Sequence, residues 1–463
     1  MPPKVALLIC FIFILYLFKL EYKSKPDVSI GLWIPLIWMM IIGSRSVSLW
    51  LNLGIPMESP EDYLEGSPID RNVFTVLIVL GLLILFRRKV SWEQIWRENT
   101  LIFLFFIYCG ISVLWSDFPI VSMKRWIKEV GTLIMVFVIL SDPNREEAIK
   151  AILRRSAYIL VPLSVLFIKY YPEFGRGYNR WTWEVYYTGV TVGKNSLGVL
   201  CLVFGLFFIW SFLLSWKKIA IDQDKERRLV HFVLLLMIVW LFSKANSATS
   251  LVCFIIGVCV ILGTQIGVFI RNTKSFGRYM LIAGLSVLAL MILFDMEELF
   301  LSGLDRNETL TGRTDIWSYL LTISINPVIG TGYESFWLGN RAEILWEKYA
   351  FLNQAHNGYL ETYLNLGVIG LFFLGALIAS AYRNIRKGLE RDFYFGAFRL
   401  ALLIVVLLNN LTEASFKGLS FLWFVFLLIG TEMPRLLEVK SFFSNKNVWR
   451  NIDKNALCKA DEK

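Results

Sequence analysis

A succession of apolar runs, each approaching the length of a bilayer crossing, constrains this chain more than any other feature. The runs fall near residues 5–18, 29–43, 73–86, 100–115, 129–141, 157–168, 196–216, 229–242, 250–270, 279–294, 360–381, 397–411 and 419–431. A span needs about 20 predominantly apolar residues, so the shorter runs must reach into their flanks or tilt. Inside lipid every backbone N–H and C=O needs a protein partner, and a helix supplies those partners within one segment. The expectation is therefore an all-α, polytopic helical bundle of about 12–13 spans with one large external loop. A composition that is 56% hydrophobic points the same way, because a soluble domain needs more polar residue to cover its surface. Organisation follows from the runs: N-terminal spans over 1–99, a membrane core over 100–431 that includes a loop at 295–359, and a basic tail over 432–463. Residues 1–20 place Lys4 before an apolar run but lack a small-x-small cleavage site, so they read as a retained first span.

Loop charges give the orientation. Lys19, Lys23 and Lys25 crowd the first connection, Arg87, Arg88, Lys89 and Arg97 the third, and Arg145, Lys150, Arg154 and Arg155 the fifth. Lys217, Lys218, Lys225, Arg227 and Arg228 follow in the seventh, Arg271, Lys274 and Arg278 in the ninth, and Arg383, Arg386, Lys387 and Arg391 in the eleventh. By the positive-inside rule these connections and the tail are cytoplasmic. The same rule accounts for the net charge of +10, which in a soluble protein would suggest nucleic acid; no nucleic-acid partner is expected here. Five cysteines sit in apolar runs and none shows C-x-x-C spacing, so neither a disulfide framework nor a metal site is expected.

Residues capable of chemistry collect in the external connections. His231 stands at the cytoplasmic start of a run and reads as a boundary residue, whereas His356 closes the 295–359 loop. A lone histidine is usually structural, but one beside a long loop at a bundle mouth is placed to accept a proton near neutral pH. External cations form a second group: Lys124, Arg125, Lys128, Arg176, Arg180, Lys194 and Arg313. They read as solvated or headgroup-facing charge, or as a converging set whose guanidinium forks suit phosphate oxygens. Segment 341–352 reads equally as an interfacial amphipathic helix or as one packed on the bundle. The polar turn Ser243–Ser250 reads as a short loop capping the next helix.

His356–Asn357, nine residues, then Gly367–Val368–Ile369–Gly370 resembles the His-Asn-x9-Gly-x-x-Gly signature of the O-antigen ligase and polysaccharide polymerase superfamily. Gly312–Arg313–Thr314–Asp315–Ile316–Trp317, Pro327…Gly330–Thr331–Gly332–Tyr333, Gly193–Lys194–Asn195–Ser196–Leu197–Gly198 and Trp115–Ser116–Asp117–Phe118–Pro119 are similar to its companion motifs, in the same order, over roughly residues 100 to 430. Leu371 stands where the ligase signature commonly has Thr or Val, which favours polymerase slightly over ligase.

The resemblance implies a metal-independent inverting membrane glycosyltransferase of type C, without a cofactor, at the outer face of the bacterial inner membrane. It would take a glycan from an undecaprenyl-diphosphate carrier. The acceptor would be another carrier-linked glycan in a polymerase or lipid A–core in a ligase; a chain-length regulator and a flippase are possible partners. Carried onto this chain, His356 would activate or position the acceptor hydroxyl with Arg313 beside it, and Arg180, Lys194, Arg125 and Arg176 would hold the diphosphate. Gly312, Asp315, Asn357, Gly367 and Gly370 complete the motifs. A lipid-linked oligosaccharide flippase or transporter is the alternative from another class, although transporters usually show repeated halves and ionisable groups near the bilayer midplane.

Overall fold

The computed structural model describes residues 1–23, 26–53, 66–178, 183–217, 223–263, 311–349 and 352–433, with residues 275, 278, 279, 282 and 286 singly. Its helices are α1 (Pro3–Lys23), α2 (Trp33–Ile42), α3 (Val47–Trp50), α4 (Pro68–Arg87), α5 (Trp92–Glu98), α6 (Thr100–Ile111), α7 (Pro119–Leu140), α8 (Arg145–Tyr170) and α9 (Pro172–Gly175). A two-stranded antiparallel hairpin follows, β1 (Arg176–Tyr178) against β2 (Val185–Tyr187), with Arg176 opposite Tyr187. The remaining helices are α10 (Lys194–Lys217), α11 (Gln223–Ala245), α12 (Ala248–Gly263), α13 (Thr311–Thr322), α14 (Asn340–Tyr349), α15 (Gly358–Arg391), α16 (Phe393–Asn409) and α17 (Phe421–Gly430).

The chain is an all-α, multi-pass membrane protein. Six helices among the described residues are long and apolar enough to cross a membrane, and α5 with α6 makes a further candidate, bent by 92°. Asn99 makes that bend: its amide donates to the carbonyls of Ile95 and Glu432 at 2.9 and 2.6 Å, and its oxygen accepts from the Glu432 N–H. The apolar runs centre on helices where the structure describes them; residues 264–270 of the run 250–270 and most of 279–294 fall outside the described residues, as does Arg180. α10 and α16, with α17, carry much of the core, burying Phe204, Phe207, Phe398, Trp423 and Phe424. α1 stays largely open along its length, with Leu7, Leu8, Phe11 and Leu15 exposed, as a peripheral helix facing lipid would be.

The basic connections meet at one end of the bundle. Arg88 beyond α4 pairs with Asp142 beyond α7 at 3.1 Å, and Arg145 and Arg391 both reach Glu432 beyond α17, at 3.5 and 3.2 Å. Glu21 near the end of α1 holds Arg154 and Arg155 of α8 at 2.8 and 3.1 Å. His231 is buried in α11 against the Phe208 ring, inside the helix packing rather than at its boundary. α14 buries Ala342 and places Leu345 in a small cluster with Leu320, Phe336 and Trp337; this face packs on protein, which decides between the two readings of segment 341–352.

Candidate active site

At the opposite end, α15 opens at the His–Asn pair of the motif. Asn357 caps the helix, its side-chain oxygen accepting from the N–H groups of Tyr359 and Leu360 at 3.0 Å each. His356 precedes it with φ +51°, a left-handed conformation that costs a non-glycine residue on the order of 1–3 kcal/mol and persists only where neighbours enforce it. Those neighbours are identifiable. Trp317 of α13 donates to the Ala355 carbonyl at 2.7 Å, and the Ala355 N–H donates to the Glu361 carboxylate at 2.8 Å. Glu361 is in turn fixed by the Trp337 indole at 2.5 Å.

The imidazole so placed faces a residue that sequence reasoning missed. His356 Nδ1 lies 3.8 Å from Glu413 Oε2, and Glu413 Oε1 accepts from Arg313 Nη2 at 3.3 Å and from Asn195 Nδ2 at 2.6 Å. Four segments far apart in sequence thus converge on one carboxylate: the start of α10, the start of α13, the turn before α15 and the turn between α16 and α17. The side chains of Glu413, Arg313 and His356 are 13%, 16% and 28% exposed, so the cluster is sheltered yet open to a ligand. A histidine against a carboxylate is oriented for proton transfer, and the nearby guanidinium can meet an anion. Gln354 Nε2 approaches the same Nδ1 at 3.4 Å, and Lys417 donates to Gln354 Oε1 at 3.0 Å.

The Gly-x-x-Gly part of the motif explains how the loop is held. Gly367 interrupts α15 with φ +66° and ψ −165°. An unbroken helix would pair the Leu364 and Asn365 carbonyls with the N–H groups of Val368 and Ile369. Instead Thr331 and Gly332 donate to those carbonyls at 3.2 and 2.8 Å, and Val368 and Ile369 donate to Pro327 and Val328 at 2.9 and 3.1 Å. The freed groups are repaired by the Pro327–Tyr333 loop, so two motifs of the sequence interlock mainly through backbone, with the Thr331 hydroxyl also donating to Leu364 O at 3.2 Å. Tyr108 satisfies Leu366 O at 2.8 Å and Trp115 donates to Ile329 O at 3.2 Å, adding the α6 end to the same joint.

The remaining expected site residues separate. Lys194 is exposed at the start of α10, one residue from Asn195. Arg125 on α7 donates to the Glu334 carbonyl at 2.5 Å, and the Glu334 carboxylate accepts from the Gly418 N–H at 2.9 Å, next to Lys417. Arg176 is not joined to the Glu413 cluster by any hydrogen bond or ion pair among the described residues; it donates through Nε and Nη2 to Ile168 O at 3.0 and 2.9 Å. Gly312 lies in the first turn of α13 and Asp315 is exposed there. Lys124 and Lys128, with Arg125, sit on the first turns of α7, the same helix as the run that follows them. The signal for Glu413 was thin: an acid in the polar turn Asn409–Glu413 between two apolar runs.

Comparison with known proteins agrees with the motif. Residues 229–375 match the family model described as O-antigen ligase, a stretch that contains Arg313, His356, Gly367 and Gly370. The chain is 25% identical over 306 residues to the exopolysaccharide production protein ExoQ of Rhizobium meliloti (strain 1021), covering 63% of this chain and 66% of that protein. It is 22% identical over 399 residues to a Rickettsia felis protein that carries a polysaccharide-ligase name, covering 82% of this chain and 85% of that protein. The chain thus spans just under two thirds of the first relative and most of the second.

Proposed function

With an O-antigen ligase match over residues 229–375 as the premise, we propose that this protein transfers a glycan from an undecaprenyl-diphosphate carrier to a sugar hydroxyl at the outer face of the bacterial inner membrane. The observation that carries the reading is the convergence of His356, Arg313 and Asn195 on Glu413. In this reaction the acceptor O–H loses its proton to His356 Nε2 while its oxygen bonds to the anomeric carbon from the face opposite the leaving group. The anomeric C–O bond breaks, and the diphosphate departs with the electron pair, which inverts the configuration. Glu413, 3.8 Å from Nδ1, stabilises the imidazolium that forms. Arg313 and Lys194 meet the developing charge on the diphosphate, with Arg125 and Arg180 adding to the positive field, and no metal or cofactor is required by the scheme.

Of the two acceptors, another carrier-linked glycan is favoured, because the relative with the higher identity is named for exopolysaccharide production. Attachment to lipid A–core is the second reading, favoured by the ligase description of the matched family. The membrane core over 100–431 would carry the whole reaction. The test is complementation of a deletion strain with wild-type, His356→Ala and Arg313→Ala proteins at matched membrane levels. Undiminished polysaccharide from the His356→Ala protein would remove that residue from catalysis. Product analysis separates the acceptors: single repeats accumulating on the carrier mark a lost polymerase, and long chains absent from lipid A a lost ligase.

A further inference from the structure

His356 Nδ1 has two polar neighbours of opposite character. Glu413 Oε2, an acceptor when ionised, stands 3.8 Å away, and Gln354 Nε2, a donor, stands 3.4 Å away. The carboxylate is beyond hydrogen-bond distance, so the amide is the closer partner. Both neighbours are governed by one connection. Glu413 and Lys417 lie in the turn between α16 and α17, and Lys417 Nζ donates to Gln354 Oε1 at 3.0 Å.

Lys417 fixes which way the amide faces. An ammonium carries N–H donors and no acceptor, so the Gln354 atom against it has to be the oxygen. The amide NH2 then faces His356, and it too can only donate. A ring nitrogen that receives a hydrogen bond carries no hydrogen itself. Nδ1 is therefore the bare nitrogen, and the single N–H of the neutral ring sits on Nε2. Donation runs in one sense, from Lys417 through Gln354 to His356. Exchanging the amide atoms would set NH2 against the ammonium and forfeit the Lys417 bond.

The ring has little room to escape this arrangement. Its backbone is held at φ +51°. Ala355 just before it is pinned twice, by Trp317 through its carbonyl and by Glu361 through its N–H. Lys417 is anchored in turn, since the next residue, Gly418, donates its N–H to the Glu334 carboxylate at 2.9 Å.

We propose that Gln354 and Lys417 are positioning residues that hold His356 in the Nε2–H tautomer, in which the ring is not a base at the nitrogen that is to take the acceptor proton. The tautomer rests on this geometry alone; its consequence for turnover rests on the proposed function. To become that base the ring has to change partners at Nδ1. Gln354 gives way, Nε2 releases its proton to water, and water returns one to Nδ1, which Glu413 then accepts once the 3.8 Å gap closes. The ring is neutral before and after, and Nε2 now holds a lone pair for the acceptor proton. Until that exchange the ring cannot deprotonate a water molecule at Nε2, which guards the donor against hydrolysis.

The tautomer can be read directly. Full-length protein labelled with 13C,15N-histidine is reconstituted in lipid bilayers at alkaline pH. Magic-angle-spinning 13C–15N spectra then show whether the protonated nitrogen is bonded to Cδ2, which marks Nε2–H, or to Cγ, which marks Nδ1–H. The chain has two histidines, and the His356→Ala spectrum identifies the His231 signals, a reference that the other variants should not move. Wild-type His356 should favour Nε2–H by roughly tenfold or more, a ratio that one or two net hydrogen bonds supply. Gln354→Glu keeps the shape, accepts from both sides, and should reverse the preference to Nδ1–H. Lys417→Met frees the amide to turn and should lower the wild-type ratio about fivefold. A wild-type ring that is evenly mixed or mainly Nδ1–H, a Gln354→Glu ring that stays Nε2–H, or an unchanged Lys417→Met ratio overturns the proposal. The spectra need no substrate, so a His356→Ala protein that still transferred glycan would sink the catalytic reading and leave the tautomer assignment standing.

Discussion

Glu413 gives its two oxygens to three groups, and only one of those groups carries a fixed positive charge. Arg313 is held at 3.3 Å, Asn195 at 2.6 Å, and the imidazole of His356 at 3.8 Å. A charge that develops on His356 during proton transfer would therefore be shared with a carboxylate already half committed to Arg313. Glu413→Gln keeps the shape and removes the charge. Its expected effect is a fall in kcat of about 10²–10³, in the range seen when one charge-stabilising group is lost from a reaction centre. Asn195→Ala, which removes only an orienting hydrogen bond, should lower kcat by about tenfold. Both are measured as initial rates of glycan transfer from lipid-diphosphate donor in detergent; an unchanged Glu413→Gln rate refutes the role. His356 and Arg313 were legible in the sequence because each sits within a motif of fixed spacing. Glu413 was not, since what distinguishes it is the meeting of α10, α13 and the turn before α15, a tertiary fact with no local pattern.

The broken helix α15 is the element on which the site's shape depends. A Cβ at Gly367 would lie 2.2 Å from Val328 O, and one at Gly330 would lie 2.4 Å from the Asn365 carbonyl carbon, both at positive φ. Alanine at either position must move the joint between the Pro327–Tyr333 loop and α15, whereas Gly375, further along the same helix, has open space around it. Gly367→Ala should therefore lower the thermal transition of the purified protein by several degrees and Gly375→Ala should leave it unchanged, as read by fluorescence-detected size exclusion after heating. Equal behaviour of the two would show that the break tolerates a side chain. A second element-scale constraint comes from Arg45, which donates to the carbonyls of Phe174, Gly189 and Thr191 at 2.5, 3.4 and 3.1 Å. Burial draws its guanidinium below the usual arginine range, and no carboxylate pairs with it among the described residues. It fastens the segment that runs into Lys194 and Asn195. Arg45→Met should reduce transfer by lowering kcat more than it raises KM, with Arg45→Lys recovering part of the loss. Helices of this kind were legible as apolar runs; the hairpin was not, because each of its strands is only three residues long, and the break in α15 was not, because it is made by hydrogen bonds to the distant Pro327–Tyr333 loop.

At the scale of the molecule the charged groups sort to two ends with different chemistry. One end closes on itself: Arg88 on Asp142, Arg145 and Arg391 on Glu432, Arg154 and Arg155 on Glu21. The other brings an imidazole and a guanidinium together on Glu413, sheltered but partly exposed. The loop-charge pattern anticipated this sorting, because lysine and arginine are retained on the cytoplasmic side whatever the tertiary contacts turn out to be. It said nothing of how tightly the ends are tied. Glu21 is 3% exposed and faces two arginines; Arg154 also pairs with Glu147 at 3.0 Å, so Glu21→Ala would strand chiefly Arg155, at a cost of about 3 kcal/mol. Because those arginines lie on α8 and Glu21 on α1, the tie fixes the end of α1 at the closed end of the bundle, with its first residue across the membrane from it. An alkaline phosphatase fusion at residue 340, in the first turn of α14, should accordingly be active. A fusion at residue 391, the last of α15, should be inactive, and an N-terminal cysteine should react with a membrane-impermeant maleimide in intact cells. An inactive fusion at 340 would invert the bundle and place His356 and Glu413 in the cytoplasm, where a carrier-linked glycan displayed on the outer leaflet does not reach them.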